Sequence, residues 1–444
     1  MESMGLTGQI ADFTASMPCA GVPEAAISAA KRAFIDTLGV ILAGRNEAAA
    51  TILASLLPAG DQALAWPGMR RLSAHDAALL NGTAGHVLDY DDVAQAGHPS
   101  VVLVPAILAE GQRLGVSGRE ALAAYAAGYE VWVELAEREP DAFHFGSWHP
   151  TAVLGTVAAT AAVAVLNRLP SEIARNALAI AASMAAGVIA NFGTCMKPLQ
   201  AGRAAANALA AVRWAAAGLT GAADALEGGH GLLRGISPRG RADTRSPAGF
   251  PRWRLVAQGL SVKRYPVCYA AHRAIDAVIA LAPRLRPEDV HAVIVTLGRA
   301  PAETLRYHHP QNGLEARFSL NHNVAAALIE GAVGFAQLSD DYVQRPDVAA
   351  LYGLTTMAID ESDPCPDQPG MAKFDRVVIA ARGGQRLDSG PIRHPRGAAQ
   401  LPLSDDELAA KFLDCARHGG YARPERLLTA LRRLDEMDDL GELT

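Results

Sequence analysis

Apolar residues recur at helical spacing through the first half of the chain. PEAAISAAKRAFIDTLGVILAG (23–44) opens with Pro near its first turn and closes on Gly44, ordinary start and stop signals for a helix. REALAAYAAGYEVWVELAERE, TAVLGTVAATAAVAVLNRL and AAANALAAVRWAAAGLTG repeat the style, and no β-alternating segment of useful length appears between about residues 6 and 220. Residues 177–196 carry no charge for twenty positions, long enough to span a bilayer. The run is rich in Ala and Gly and includes Ser183, Asn191 and Thr194, so its hydrophobicity is weak. It predicts a helix buried on all sides rather than a membrane span.

The pattern changes at GGHGLLRGISPRGRADTRSPAGFPRWR (228–254), dense in Gly, Pro and Arg, which reads as a long irregular connection. Beyond it HAVIVTLG (291–298) is short and β-branched, and DRVVIAARGGQRLDSG (375–390) reads as two strands around a Gly-Gly turn. AHRAIDAVIALAPRL and NVAAALIEGAVGF place helices between them. The tail SDDELAAKFLDCARHG is helical again, with a Ser-Asp-Asp cap and Glu407 just inside. The pattern therefore gives a helical region over 1–261, an α+β region over 262–396 and a helical tail over 397–444. No internal repeat or low-complexity tract is visible.

At 444 residues the chain exceeds the usual size of one core, so two domains are the default. Its 50% hydrophobic and 19% charged residues argue against disorder. The net charge of -6 with scattered basic residues excludes an electrostatic footprint for nucleic acid. Cys19, Cys195, Cys268, Cys365 and Cys415 form no CxxC pair, so no zinc knuckle or clustered iron–sulfur motif is expected. Five dispersed thiols read as reduced and cytoplasmic. The N-terminus lacks a basic stretch followed by an apolar core, so no secretory signal is expected.

Candidate chemistry concentrates in NGTAGHVLDYDDVAQAGHPS (81–100), which holds His86, Asp89, Asp91, Asp92 and His98. A cation cluster, an acid catalyst and a solvated loop all fit such a string. A DxDD string also resembles acid-initiated terpene cyclases, but carbocation chemistry needs aromatic walls and aromatics are only 5% here. GSWHPTAVLG (146–155) places His149 at a helix N-terminus, where the dipole disfavours a protonated imidazole. Alone, a His-Pro before a helix is more often a cap detail than a catalytic feature. TCMKPLQAGRAAANALAA (194–211) sets Lys197 at a break between apolar helices, where it either reaches water or meets an anion. SVKRYPVCYAAHRAIDAV (261–278) carries Lys263, Tyr265, Cys268 and His272, the histidine in the first turns of a helix.

Together and in this order, with KRAFIDTLGVILAG before them and ARFSL and LSDDELAAKFLDCA after, these stretches resemble the MmgE/PrpD family. That family includes 2-methylcitrate dehydratases, cis-aconitate decarboxylases and iminodisuccinate epimerases. The resemblance covers nearly the whole chain. It implies a mainly α protein with an inserted α+β lid domain, the large all-helical domain being built from the N-terminal half plus the C-terminal tail. It also implies a homodimer without metal or organic cofactor, acting on a small di- or tricarboxylic acid. The family's active-site aspartate falls on Asp89, its histidines on His98, His149 and His272, and its lysine on Lys197. Lys263 and Tyr265 lie in its K-x-(Y/F)-P segment. Three further positions depart from its common pattern: Val93 for Thr, Gln200 for His and His322 for Tyr, each expected at or near the substrate.

The resemblance thus points to chemistry at a carbon next to a carboxylate. Lys197 would neutralise a carboxylate and the charge developing in an enolate-like transition state. His98 and His272 would serve as acid and base, brought together by closure on substrate. Asp89 would orient a histidine or hold a hydroxyl, and His149 would donate to a carboxylate or leaving group. Dehydration is the first expectation, epimerisation the second, and decarboxylation a third outcome of the same residues. A non-catalytic polycarboxylate binder and a metal-dependent lyase using DYDD are the readings of a different kind.

Overall fold

The long apolar runs of the first half fold as helices: α1 (Leu6–Ser16), α2 (Glu24–Gly44), α3 (Ala74–His86), α4 (Ser100–Leu114), α5 (Gly118–Arg138), α6 (Pro150–Leu166), α7 (Ser171–Met184) and α8 (Met196–Ala216). The computed structural model describes residues 5–17, 21–95, 97–139, 146–247, 249–362 and 372–443. Cys19 and Cys365 lie outside the described residues, while Cys195, Cys268 and Cys415 are free thiols. Two compact units divide the chain: Met1–Val262 with Ser404–Thr444, and Lys263–Leu403. The protein is mainly helical with a small mixed sheet.

In the first unit α2, α4, α5 and α6 are buried along most of their lengths by Ala, Val, Leu and Ile. The C-terminal helix α11 (Asp405–His418) packs on α2, where a Cβ at Gly39 would meet the Phe412 Cα at 3.3 Å. Its start is the expected capping box, Ser404 and Glu407 each satisfying a backbone N–H of the other. Within this pairing Lys411 lies 2.6 Å from Asp36, a buried ion pair that ties tail to N-terminal half. The Arg-rich connection is held by Arg254, whose guanidinium meets Glu130 and Glu134 of α5 in the interior.

One helix expectation fails. The uncharged run 177–196 is not a single buried helix: α7 stops at Met184, and a loop with a one-turn 3₁₀ segment (Ile189–Asn191) leads to α8. Val188, Ile189 and Phe192 are 39%, 38% and 46% exposed. Small side chains give this run little to gain from burial, and Gly193 turns through φ +85°. Its backbone bonds elsewhere, His149 N–H donating to Gly187 O and Ile189 N–H to Ser147 O, both at 2.9 Å. No helix among the described residues is long and apolar enough to cross a membrane.

Among the described residues the helical half also contains a short antiparallel pair, β1 (Ala63–Ala65) with β2 (Arg70–Leu72). In the second unit β3 (Val290–Leu297), β4 (Thr355–Ile359), β5 (Arg376–Ala381) and β6 (Arg386–Asp388) form one sheet in the order β4-β3-β5-β6. β3 pairs parallel with β4, whereas β3 with β5 and β5 with β6 are antiparallel. Helices α9 (His272–Leu281) and α10 (Leu320–Glu330) supply Ile275, Val278, Val324 and Leu328 to the core under the sheet.

Candidate active site

Two glycines set the frame. A Cβ at Gly82 of α3 would stand 2.9 Å from the Gly202 Cα of α8, and one at Gly202 would stand 2.2 Å from the Leu79 carbonyl. Only glycines allow this approach, which brings the residues after α3 to the first turn of α8. Immediately past α3, Asp89 takes φ +53°, a left-handed conformation that Asp and Asn tolerate better than other side-chain-bearing residues. The turn aims its carboxylate at α8, where Lys197 Nζ donates to Asp89 Oδ1 at 2.5 Å.

Each member of DYDD has its own partner. Asp89 takes Lys197, with His98 Nε2 at 3.9 Å from the same oxygen. The Tyr90 carbonyl accepts from Lys411 Nζ at 3.0 Å, and that ammonium lies over the Tyr90 ring at 4.0 Å. Asp91, wholly buried, accepts from His86 Nδ1 at 2.8 Å. His98 Nδ1 approaches the same Oδ2 at 3.2 Å. Asp92 caps the start of α4, accepting from Ser100 N–H at 3.3 Å and from its hydroxyl, which also meets Tyr125.

Three histidines of this unit, His86, His98 and His149, form one cluster. His86 and His98 meet edge to face with centroids 4.9 Å apart, and His86 stacks on His149 at 5.5 Å. His149 Nδ1 bonds Gln200 Oε1 at 2.7 Å, and Phe192 closes on the ring at 4.9 Å. Lys197 Nζ lies 5.2 Å from the Phe192 centroid. Three helices open at the cluster: α4 just past His98, α6 at His149 and α8 one residue before Lys197. Their N-terminal N–H groups and dipole ends favour an anion there and oppose an imidazolium.

Electrostatics follow. Burial, together with Lys197 and His98, lowers the His86 pKa to about 4 although Asp91 works against it. Burial, then His86 and Lys197, takes His149 down to about 2. Burial raises Asp91, yet the two imidazoles outweigh it and hold the carboxyl well below its usual range. Asp92 goes the other way, to about 8, through burial and the nearby Asp36. Carboxylates two and three residues from Asp89 thus differ in charge at neutral pH, through environment alone.

Among the described residues, His86, Asp91 and His98 are the group whose ligand-type atoms cluster, within 4.8 Å. A cation there would have to displace the proton that His86 donates to Asp91.

The other anticipated residues lie as follows. Val93 pairs by backbone with Ser261, N–H to O at 2.8 Å. Gln200 is buried and spans His149 and the Val188 carbonyl. In the second unit Lys263 is buried, the Tyr265 hydroxyl donates to Asp276 at 2.5 Å, and His272 opens α9 with Nε2 3.3 Å from Val267 O. His322 spends both ring nitrogens internally, on the Tyr352 hydroxyl at 2.9 Å and the Gln337 carbonyl at 2.8 Å, and burial takes its pKa to about 4. Sequence reasoning did not assign His86 and Asp91 to the site. Their presence in the same short stretch as Asp89 and His98 was the available signal.

The chain matches the MmgE/PrpD N-terminal domain over residues 8–244 and the MmgE/PrpD C-terminal domain over residues 265–436. It belongs to the MmgE/PrpD family. Among curated MmgE/PrpD-like proteins, it is 28% identical to the cis-aconitate decarboxylase of Mus musculus, across 94% of this chain and 88% of that protein. It is 27% identical to that of Homo sapiens, across 94% and 89%. A cis-aconitate decarboxylase of Aspergillus terreus is 23% identical across 99% and 96%. Family and relatives indicate an enzyme.

Proposed function

We propose that this MmgE/PrpD protein is a lyase that removes CO₂ from a small tricarboxylic acid of the cis-aconitate type. The observation that carries the reading is the Lys197–Asp89–His98 arrangement, a cation and an imidazole sharing one carboxylate at three helix N-termini. Relatives that bear the decarboxylase name along nearly the whole chain favour CO₂ loss over the dehydration that the family resemblance put first.

Lys197 leaves Asp89 to bind a substrate carboxylate, which the helix ends also stabilise. As the C–C bond to the departing carboxylate breaks, its electron pair moves into the neighbouring unsaturated system. His98 then delivers a proton to carbon through Nε2, while Asp91 faces Nδ1 on the other side of the ring. His272 joins the proposal as a second acid–base group, and Lys263, Tyr265 and Val93 as substrate contacts, on the resemblance of their motifs. A homodimer is part of the same proposal.

Proton NMR in D₂O with cis-aconitate, citrate, 2-methylcitrate and malate tests it. New alkene signals from cis-aconitate, with one deuterium on carbon and CO₂ released, are the expected result. Alkene signals from citrate or 2-methylcitrate would instead make the enzyme a dehydratase. Deuterium entering an α-carbon without loss of substrate would make it an epimerase.

A further inference from the structure

We propose that Gln200 is a positioning residue that fixes the proton of His149 on Nδ1, so that His149 meets its ligand through an Nε2 lone pair and recognises an O–H group.

Gln200 Nε2 lies 3.1 Å from Val188 O, and a carbonyl only accepts. The amide nitrogen must therefore face Val188, which leaves Oε1 facing His149 Nδ1 at 2.7 Å. An amide oxygen also only accepts, so Nδ1 carries the hydrogen and Nε2 the lone pair. The amide has little room to turn: a Cβ at Gly187 would already stand 3.0 Å from Oε1, and Gly187 O holds the His149 backbone N–H at 2.9 Å.

Among the described residues, no carboxylate supplies His149 with the countercharge that a second proton needs. Gln200 is neutral, His86 stacks on one face, Phe192 meets an edge, and Lys197, His98 and the N-terminus of α6 all oppose a cation. Burial points the same way. His149 is therefore an acceptor at any working pH, not the donor toward a carboxylate that the motif alone implied. Lys197 and the helix ends take carboxylates, whereas His149 requires a hydroxyl or one protonated carboxyl. The ligand statement rests on the functional reading above; the proton position does not.

Nitrogen-15 NMR of the full-length protein with labelled histidine measures the proton position without ligand. The Gln200→Glu variant assigns the signal, because its carboxylate faces His149. The expected result is a protonated Nδ1, an unprotonated Nε2 and no titration between about pH 5 and pH 8, with His149 in Gln200→Glu gaining a titration at higher pH. A hydrogen on Nε2, or titration of wild-type His149 in that window, overturns the proposal.

Citrate and tricarballylate differ by one hydroxyl and serve as binding probes by calorimetry. Tighter binding of citrate at neutral pH, by about fivefold for one neutral hydrogen bond, identifies a hydroxyl as the group on Nε2. Tricarballylate affinity rising about tenfold per unit of acidification identifies a carboxyl proton instead. Binding with neither preference overturns the ligand statement. Binding of neither acid, with Nδ1 protonated, withdraws the functional reading and leaves the tautomer standing.

Discussion

The two units treat their histidines differently. In the helical unit His86, His98 and His149 face Asp91, Asp89, Gln200 and one another. In the sheet-bearing unit His322 bonds a tyrosine hydroxyl and a backbone carbonyl, and His272 bonds a backbone carbonyl. A backbone carbonyl holds a ring in place but cannot take or give its proton. A carboxylate next to an imidazole changes the proton affinity of both. Under the proposed function the contrast sets His322, which maintains a fold, apart from His98, which does chemistry, and leaves His272 to be assigned by experiment.

The largest expected effect is at the ion pair. Asp89→Asn keeps the left-handed backbone and removes only the charge, so kcat/KM should fall at least about a hundredfold with little change in Tm. Lys197→Ala and His98→Ala should do the same. Near-normal turnover in any of the three removes that residue from the mechanism. His322→Gln should behave in the opposite way, losing about 1 to 3 kcal/mol of stability for a broken buried hydrogen-bond pair while kcat/KM stays within a few fold. A catalytic loss there would overturn the contrast. His272→Ala decides on which side of it His272 belongs: a hundredfold loss of kcat/KM at unchanged Tm places it with His98.

Of comparable size to the His322 change, but purely structural, is Gly202→Ala. Its methyl meets the Leu79 carbonyl at 2.2 Å, so the crossing of α3 and α8 must open at about 1 to 3 kcal/mol, read as a lower Tm. Activity should fall along with it, because the crossing brings Lys197 to Asp89.

A pH trend is expected at Asp92. Asp92 has a folded pKa raised to about 8, so the unfolded chain releases its proton at lower pH than the folded one. Its stabilising contribution is therefore present in acid and lost as pH rises from about 4 to 8. Asp92→Asn should gain Tm relative to the parent progressively across that range, and level off above it. A constant difference would mean that Asp92 is ionised in the fold throughout.

Much of the fold could be read along the chain because helices announce themselves locally. The Pro23–Gly44 signals, the Ser404–Glu407 box and the Gly383–Gly384 turn between β5 and β6 all form between near neighbours. The helix expected over 177–196 failed because its end is decided at a distance, by bonds from residues 187–189 to Ser147, His149 and Gln200. Strand β4 escaped notice for a similar reason: Thr355–Ile359 gains its conformation by pairing with β3, not from its own pattern. At the site, motif order pointed to Asp89, His98, His149 and Lys197, which the fold brings together. It could not divide the labour within DYDD, since four adjacent residues acquire four different partners only in three dimensions.

The resting Lys197–Asp89 pair also sets a threshold for entry. A monocarboxylate reaching Lys197 exchanges one ion pair for another of the same kind, so it gains little. A molecule with two or three carboxylates leaves further negative charge to settle on the helix ends after the exchange. The pair thereby sorts anions by valence: acetate and chloride should occupy the site poorly even at concentrations that far exceed those of a polycarboxylate.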